Sequence, residues 1–392
     1  MICTKHSSKM WIPMVTSSWI LSSTLVVDTF FLLSGIFCIY SLPNEVSVTL
    51  FLKNLHVFYL HRLLRLLPLL ATVVLFQTSI VNWLSDGPDW PKLAFTSEVC
   101  KQRWWAVLLH IQNYLKPSGL CLVHSWYLTV DTQLYMLSPL VLIFLFGSRK
   151  IAWSVMTLTL IASLITVTYY AFTYEIPVVF VNVWYLKIPV TYLRKFFAHT
   201  PARATPYVIG IMFGYTLKVH QEKPIKISKK YVVLLWLGAL GTMAFCVFAP
   251  NETLHLNYYV PHFFDHFLSS YMRSTWAASV GWVILACTHG YGGPIDWFLS
   301  QPLWKLPSRM SYAAYLVHLP IMMVRNNGVV KSAFFSDIET IYNAASYIFI
   351  SMLVAFALCV VIDAPCSTLQ KAVLEPSRDT SNANGAKIQE NH

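Results

Sequence analysis

The sequence predicts an all-α protein, a polytopic bundle of about nine transmembrane helices. Three observations predict it. Of 392 residues, 56% are hydrophobic and only 11% are charged, whereas soluble globular chains carry about 25% charged residues. The mean hydropathy is +0.55. The apolar residues come in long continuous runs rather than alternating with polar ones, near the roughly 20 residues a helix needs to cross a bilayer. In lipid each segment must satisfy its own backbone hydrogen bonds, and such runs do so as helices.

Along the chain, residues 1–18 carry Lys5 and Lys9 but no apolar core. They do not read as a signal peptide and form a short non-cytoplasmic N-terminal segment. Apolar runs follow at roughly 20–41, 66–84, 126–147, 151–172, 204–219, 231–249, 271–288, 311–325 and 341–362. Those at 204–219 and 311–325 are short for a straight span and need their flanks. Residues 19–376 form one transmembrane domain. The polar stretch 377–392 reads as a disordered cytoplasmic tail.

Charge in the short loops sets the orientation. Arg149 and Lys150 fill one tight turn, and QEKPIKISKK supplies Lys223, Lys226, Lys229 and Lys230, while 250–270 holds no Lys or Arg. The positive-inside rule then makes the loop after the first run, 148–150, 220–230 and 289–310 cytoplasmic. Asn251, in an Asn-Glu-Thr sequon, falls outside as a glycosylation acceptor. Cys100 and Cys121 bracket a Trp-rich outward loop and are expected to form a disulfide on the oxidising side. Trp83, Trp90, Trp104, Trp105 and Trp126 gather there as interfacial anchors. The stretch CKQRWWAVLLHIQNYL reads as an interfacial amphipathic helix.

The net charge of +11 matches basic loops facing anionic headgroups, and no basic, aromatic-interleaved run argues for nucleic acid. The eight cysteines show no CxxC spacing, so no metal site is expected. The partners are the lipid bilayer of a plasma membrane or endomembrane, and the ligands it presents.

Ionisable residues inside spans are costly and mark candidate sites. Asp28 opens the first run, VVDTFFLLSGIFCIY, either as a functional carboxylate or as a partner for a cation or helix end. Arg62 and Arg65 share one helix face at i, i+3. Their forked guanidiniums suit phosphate, although the positive-inside rule alone also places Arg at this edge. Asp131 lies inside HSWYLTVDTQLYMLSP, with His124 about two turns earlier. His318 closes a stripe with Ser311 and Tyr315 that is expected to face the bundle interior. Arg273 and Arg325 are expected to snorkel.

These segments together resemble the membrane-bound acyltransferase 3 family. VVDTFFLLSGIF is similar to its VDxFFxLSGF signature, and RLLR to its RxxR pair. WYLTVDTQLYMLSP and PSRMSYAAYLVHLP are similar to its W-x-L-x-x-E-x-Q-F-Y-L-x-x-P and S-Y-x-x-Y-L-x-H-x-P segments, with Asp131 where many members have Glu. The WW loop, YVIGIMFGY and the final DAP resemble the nose-resistant-to-fluoxetine branch. The resemblance covers about residues 20–376. It implies acyl transfer from a cytoplasmic donor, commonly acyl-CoA as co-substrate with no tightly bound cofactor, to a lipid, glycan or small-molecule acceptor. Arg62 and Arg65 then contact the donor phosphates, Asp131 and His318 match family positions, and Asp28 serves the acceptor side. The family's first helix, with D-G-x-R and Gly-His, finds no match before Trp19. The expectation is that this helix is missing, which keeps a transporter or lipid-uptake protein, or an inactive truncated homologue, as the rival reading.

Overall fold

The computed structural model describes residues 18, 22–43, 47–84, 86–116, 119–178, 190–223, 225–254, 263–328 and 337–374. The tail 377–392, and all of 1–18 except Ser18, fall outside them. Every regular element described is helical. The longer helices, with one short helix after a bend, are α1 (Thr24–Tyr40), α2 (Leu55–Ser79), α3 (Trp90–Leu108), α4 (Trp126–Leu137), α5 (Pro139–Leu145), α6 (Arg149–Thr173), α7 (Thr200–Val219), α8 (Lys229–Phe248), α9 (Phe263–Thr288), α10 (Lys305–Gly328), α11 (Asp337–Leu358) and α12 (Ala364–Leu374).

Among the described residues, four helices are long and apolar enough to cross a membrane: Leu55–Ser79, Arg149–Thr173, Lys229–Asn251 and Ile338–Val373. The bent pair Val123–Leu137 and Pro139–Leu145 makes a fifth if it counts as one span. The expected nine are not reached by this measure. The helices that fall short are α1, with 17 residues, and α7, α9 and α10, which carry Arg203, Arg273 and His318. The two short runs do gain length from their flanks: 204–219 becomes the 20-residue α7 and 311–325 the 24-residue α10. Asn251, the expected glycosylation acceptor, is buried at the end of its helix.

The chain divides into two compact units. The first comprises Met1–Val48, Trp105–Trp304 and Lys331–Glu339. At its centre α1 lies against α7 with the two backbones in contact. A Cβ added at Gly35 would stand 2.3 Å from the Tyr207 carbonyl oxygen, and one added at Gly210 would stand 2.2 Å from the Leu32 carbonyl oxygen. Small residues are what allow helices to approach this closely in a membrane. Leu32, Ile36, Ile209 and Leu217 then pack with Ala277 of α9. Within the helices, Thr159, Thr168, Thr216 and Thr242 turn their hydroxyls back onto the carbonyls four residues earlier, so these side chains add no unmet polarity.

The second unit comprises Thr49–Trp104, Lys305–Val330 and Thr340–His392. Its α2 continues through Pro68. The Tyr312 hydroxyl of α10 donates to Leu66 O at 2.9 Å, and Gln370 Nε2 of α12 donates to His61 O at 2.9 Å. Val81, Trp90 and Leu93 pack against Met323 and Val324, so Trp90 is a core residue and not an interfacial anchor. Trp83 stays 87% exposed, as an anchor should be. Of the stretch expected as an amphipathic helix, CKQRWWAVLLHIQNYL, only the part up to Leu108 is in α3, which starts earlier at Trp90 and has a backbone break at Arg103 (φ −128°, ψ 15°); a separate 3-10 turn, Gln112–Tyr114, follows.

The glycine contact has a measurable consequence. Gly210→Leu forces α1 from α7 and lowers stability by about 1–3 kcal/mol, seen as a fall in the thermal unfolding midpoint in detergent. Gly238→Leu, where nothing lies within 4 Å of the added Cβ, leaves the midpoint in place.

Candidate functional site

The first unit buries a carboxylate between two arginines. Asp28 sits one turn into α1 and is fully buried. Arg203, on the first turn of α7, is fully buried too, and its Nη1 donates to Asp28 Oδ1 at 2.8 Å and to Oδ2 at 3.0 Å. Arg203 Nε donates to Phe197 O at 2.9 Å. The guanidinium also lies 5.1 Å from the Trp126 ring centroid and 4.9 Å from that of Phe197. Arg273 of α9 brings its Nε to 3.9 Å from Asp28 Oδ2 and lies 4.3 Å from the Phe196 centroid. One carboxylate thus faces two cations, with aromatic rings taking part of the remaining charge. Arg203 Nη2 and Arg273 Nη1 have no hydrogen-bond partner among the described residues.

Local sequence explains how Arg203 arrives there. A π-helical turn, Leu193–Phe197, turns the chain ahead of α7 and carries both rings. Pro201 then occupies the first turn of α7, where its missing N–H costs nothing. The helix therefore starts at Thr200 and takes Arg203 inside. Arg273 is buried, not snorkelling: its helix runs from Phe263 to Thr288 and sets it ten residues in from the N-terminus. Trp126, expected as an interfacial anchor, is a platform for Arg203.

A second polar group flanks this cluster. Gln133 Nε2 of α4 donates to His110 O at 2.7 Å and to Asn113 Oδ1 at 3.1 Å. Asn113 Nδ2 donates to Thr200 Oγ1 at 3.2 Å and to Ala198 O at 3.1 Å, and the Thr200 hydroxyl donates to Gln133 Oε1. The network binds the Trp-rich loop to the start of α7. Asp131 is buried on the same helix as Gln133.

In the second unit, three segments far apart in sequence come together. The charges of Arg62 and Asp363 both act on the Tyr312 hydroxyl. These residues come from RLLR, DAP and SRMSYAAY. Arg62 is half-buried and Arg65 is exposed. His318 is half-buried, with Nδ1 at 2.6 Å from Tyr315 O. A carbonyl only accepts, so Nδ1 carries a proton; in the neutral tautomer with that arrangement Nε2 holds the lone pair a base requires. Ser311 lies on the outside of the unit, donating to Ser308 O, so the expected interior stripe holds for Tyr315 and His318 only.

Asp28 and Asp131 therefore belong to one unit, and Arg62, Arg65 and His318 to the other. Cys100 and Cys121 are both buried and disulfide-bonded. Among the described residues, no group of three or more His, Cys, Asp or Glu is placed to hold a metal ion.

Two measurements test this chemistry. Arg203→Ala leaves a buried carboxylate with only a distant cation and costs about 3–5 kcal/mol, read from unfolding in mixed micelles; a loss below about 1 kcal/mol contradicts the geometry. The second concerns His199, whose pKa is lowered by burial and then by the Lys195 charge. The folded state favours the neutral ring, so its contribution is present above the ordinary histidine range and is lost as pH falls through the lowered folded value. Between pH 7 and pH 5, His199→Gln should lose less stability than the unaltered protein, by the same unfolding assay.

The family described as "Acyltransferase domain" matches residues 4–364. Nose resistant to fluoxetine protein 6 of Caenorhabditis elegans is 24% identical over 93% of this chain and 47% of its own length. Regulator of hypoxia-inducible factor 1, also of Caenorhabditis elegans, is 23% identical over 89% of this chain and 69% of its own. A Staphylococcus aureus (strain COL) protein named as a candidate O-acetyltransferase is 23% identical over 79% of this chain and 47% of its own. The chain thus spans about half the length of the first and third of these relatives. No solved structure matches it. The match runs through both units and takes in Asp28, the two-arginine RLLR pair and the Tyr312–His318 segment, and on that extent the chain belongs to the acyltransferase 3 family of membrane proteins.

Proposed function

We propose that the chain is the membrane core of an acyltransferase that takes an acyl group from a cytoplasmic thioester donor, acyl-CoA, and passes it to a lipid, glycan or small-molecule acceptor. The observation that carries this is the family match over residues 4–364, and the name of the bacterial relative supports it. Arg62 and Arg65, on one face of α2 near the cytoplasmic end that the loop charges imply, hold the donor phosphates. His318 is the residue with the chemistry of a base. It takes the proton from the acceptor nucleophile, the nucleophile attacks the thioester carbonyl, and coenzyme A leaves as the thiol. Asp28 and Asp131, buried in the other unit, serve the acceptor side. Asp28 is paired there with Arg203.

The test uses membranes carrying the protein and radiolabelled acyl-CoA. Substituting Arg62→Ala and Arg65→Ala together removes two charge-assisted contacts and should weaken donor binding about a hundredfold or more, at roughly 1.5 kcal/mol per contact. Unchanged binding sinks the donor assignment. Uptake of a lipid across these membranes with no acylated product replaces the enzyme with a transporter.

A further inference from the structure

A cavity of about 560 Å³ opens in the first unit where α1 and α7 end and α6 begins. Its lining combines apolar residues, among them Ile39, Leu145, Phe146 and Val219, with Arg149, Lys218 and Lys223 and one carboxylate, Glu222. Three cations against one acid leave a net excess of two positive charges. Lys218 Nζ also donates to Leu42 O and to Pro43 O, at 2.5 Å and 3.2 Å. It thereby fixes the chain leaving α1 at the rim of the cavity. Arg149 and Lys223 are exposed and turned to no such task.

The place of this cavity matters as much as its charge. Two of its cations, Arg149 and Lys223, come from the short loops that the positive-inside rule puts in the cytoplasm, 148–150 and 220–230, and Lys218 lies in the last turn of α7 just before the second. Its apolar residues come from the ends of α1, α5 and α7 and the turn after α5. A pocket of this size, lined by apolar side chains and by cations, has the complement of an amphiphile with a phosphate head. We propose that it is a binding site for an anionic phospholipid of the cytoplasmic leaflet, whose phosphate sits among Arg149, Lys218 and Lys223 and whose acyl chain lies along Phe146 and Val219. The site needs no acyl transfer and stands whether or not the proposed reaction is right.

Native mass spectrometry of the detergent-purified protein tests it, with dioleoyl phosphatidate and dioleoyl phosphatidylcholine offered in equal amounts. The expected result is a preference for phosphatidate that falls about tenfold in the Arg149→Gln, Lys223→Gln double variant. Lys229→Gln with Lys230→Gln removes the same charge from the neighbouring loop and should leave the preference within about twofold. Equal losses in the two variants, or no preference at the start, overturn the proposal. Excess coenzyme A should leave bound phosphatidate in place. Displacement by coenzyme A overturns the lipid and gives the phosphate at this site to the thioester donor.

Discussion

The fully buried Asp28 is the constraint to which the first unit is arranged. A lone carboxylate so placed costs several kcal/mol in lost solvation, and attraction to a cation offsets that only when geometry is good and the other lone pairs are met. Arg203 meets both conditions by bonding the two oxygens from one nitrogen. That demands that α7 come close to α1, and the demand is met by glycine on both sides of the contact. Arg273 adds a second cation from α9. The helix that carries the acid and the two that carry the bases therefore have little freedom to slide: a shift of one residue along either partner carries a guanidinium out of reach.

The polar segments of the chain sort into two groups in space. VVDTFF, HSWYL and the turn before YVIGIMFGY meet at Asp28, Trp126 and Arg203. RLLR, SRMSYAAY and DAP meet at Arg62, Tyr312 and Asp363. Each group mixes residues from three places in the sequence, and each contains an acid, a base and an aromatic ring. A tyrosine hydroxyl that donates to the Leu66 carbonyl, with the charges of an arginine and an aspartate acting on it, is a different chemical environment from a carboxylate clamped by two arginines.

Much of this was legible in the sequence, and the failures have physical causes. The helical class followed from continuous apolar runs. That Asp28 would need a cation followed from its place in such a run, but the cation itself could not be named. Arg203 lies before the apolar run at 204–219, so it read as part of a long loop. Only the π-helical turn and Pro201 reveal that the helix starts early enough to bury it. Arg273 read as a snorkelling residue because its apolar run starts at 271, whereas the helix begins at Phe263 and carries it inward. Trp126 and Trp90 looked like interfacial anchors because tryptophan near a span end usually is one. Each instead packs a neighbour that lies far away in sequence. That only four or five of the nine expected spans pass on length and apolarity among the described residues has a related cause: apolarity marks helices that face lipid, and the helices that line a polar interior give part of it up.

The distance along the chain between Asp28 and Arg203, 175 residues, has a consequence for how the protein is made. A chain grows at about 5–20 residues per second, so roughly ten to thirty-five seconds separate the emergence of the acid from that of its partner. Through that interval α1 carries, one turn from its start, a carboxylate whose partner is not yet made. Neither the ion pair nor the glycine contact exists yet to hold it. The helix must be kept by the insertion machinery, or stay shallow, until α7 arrives.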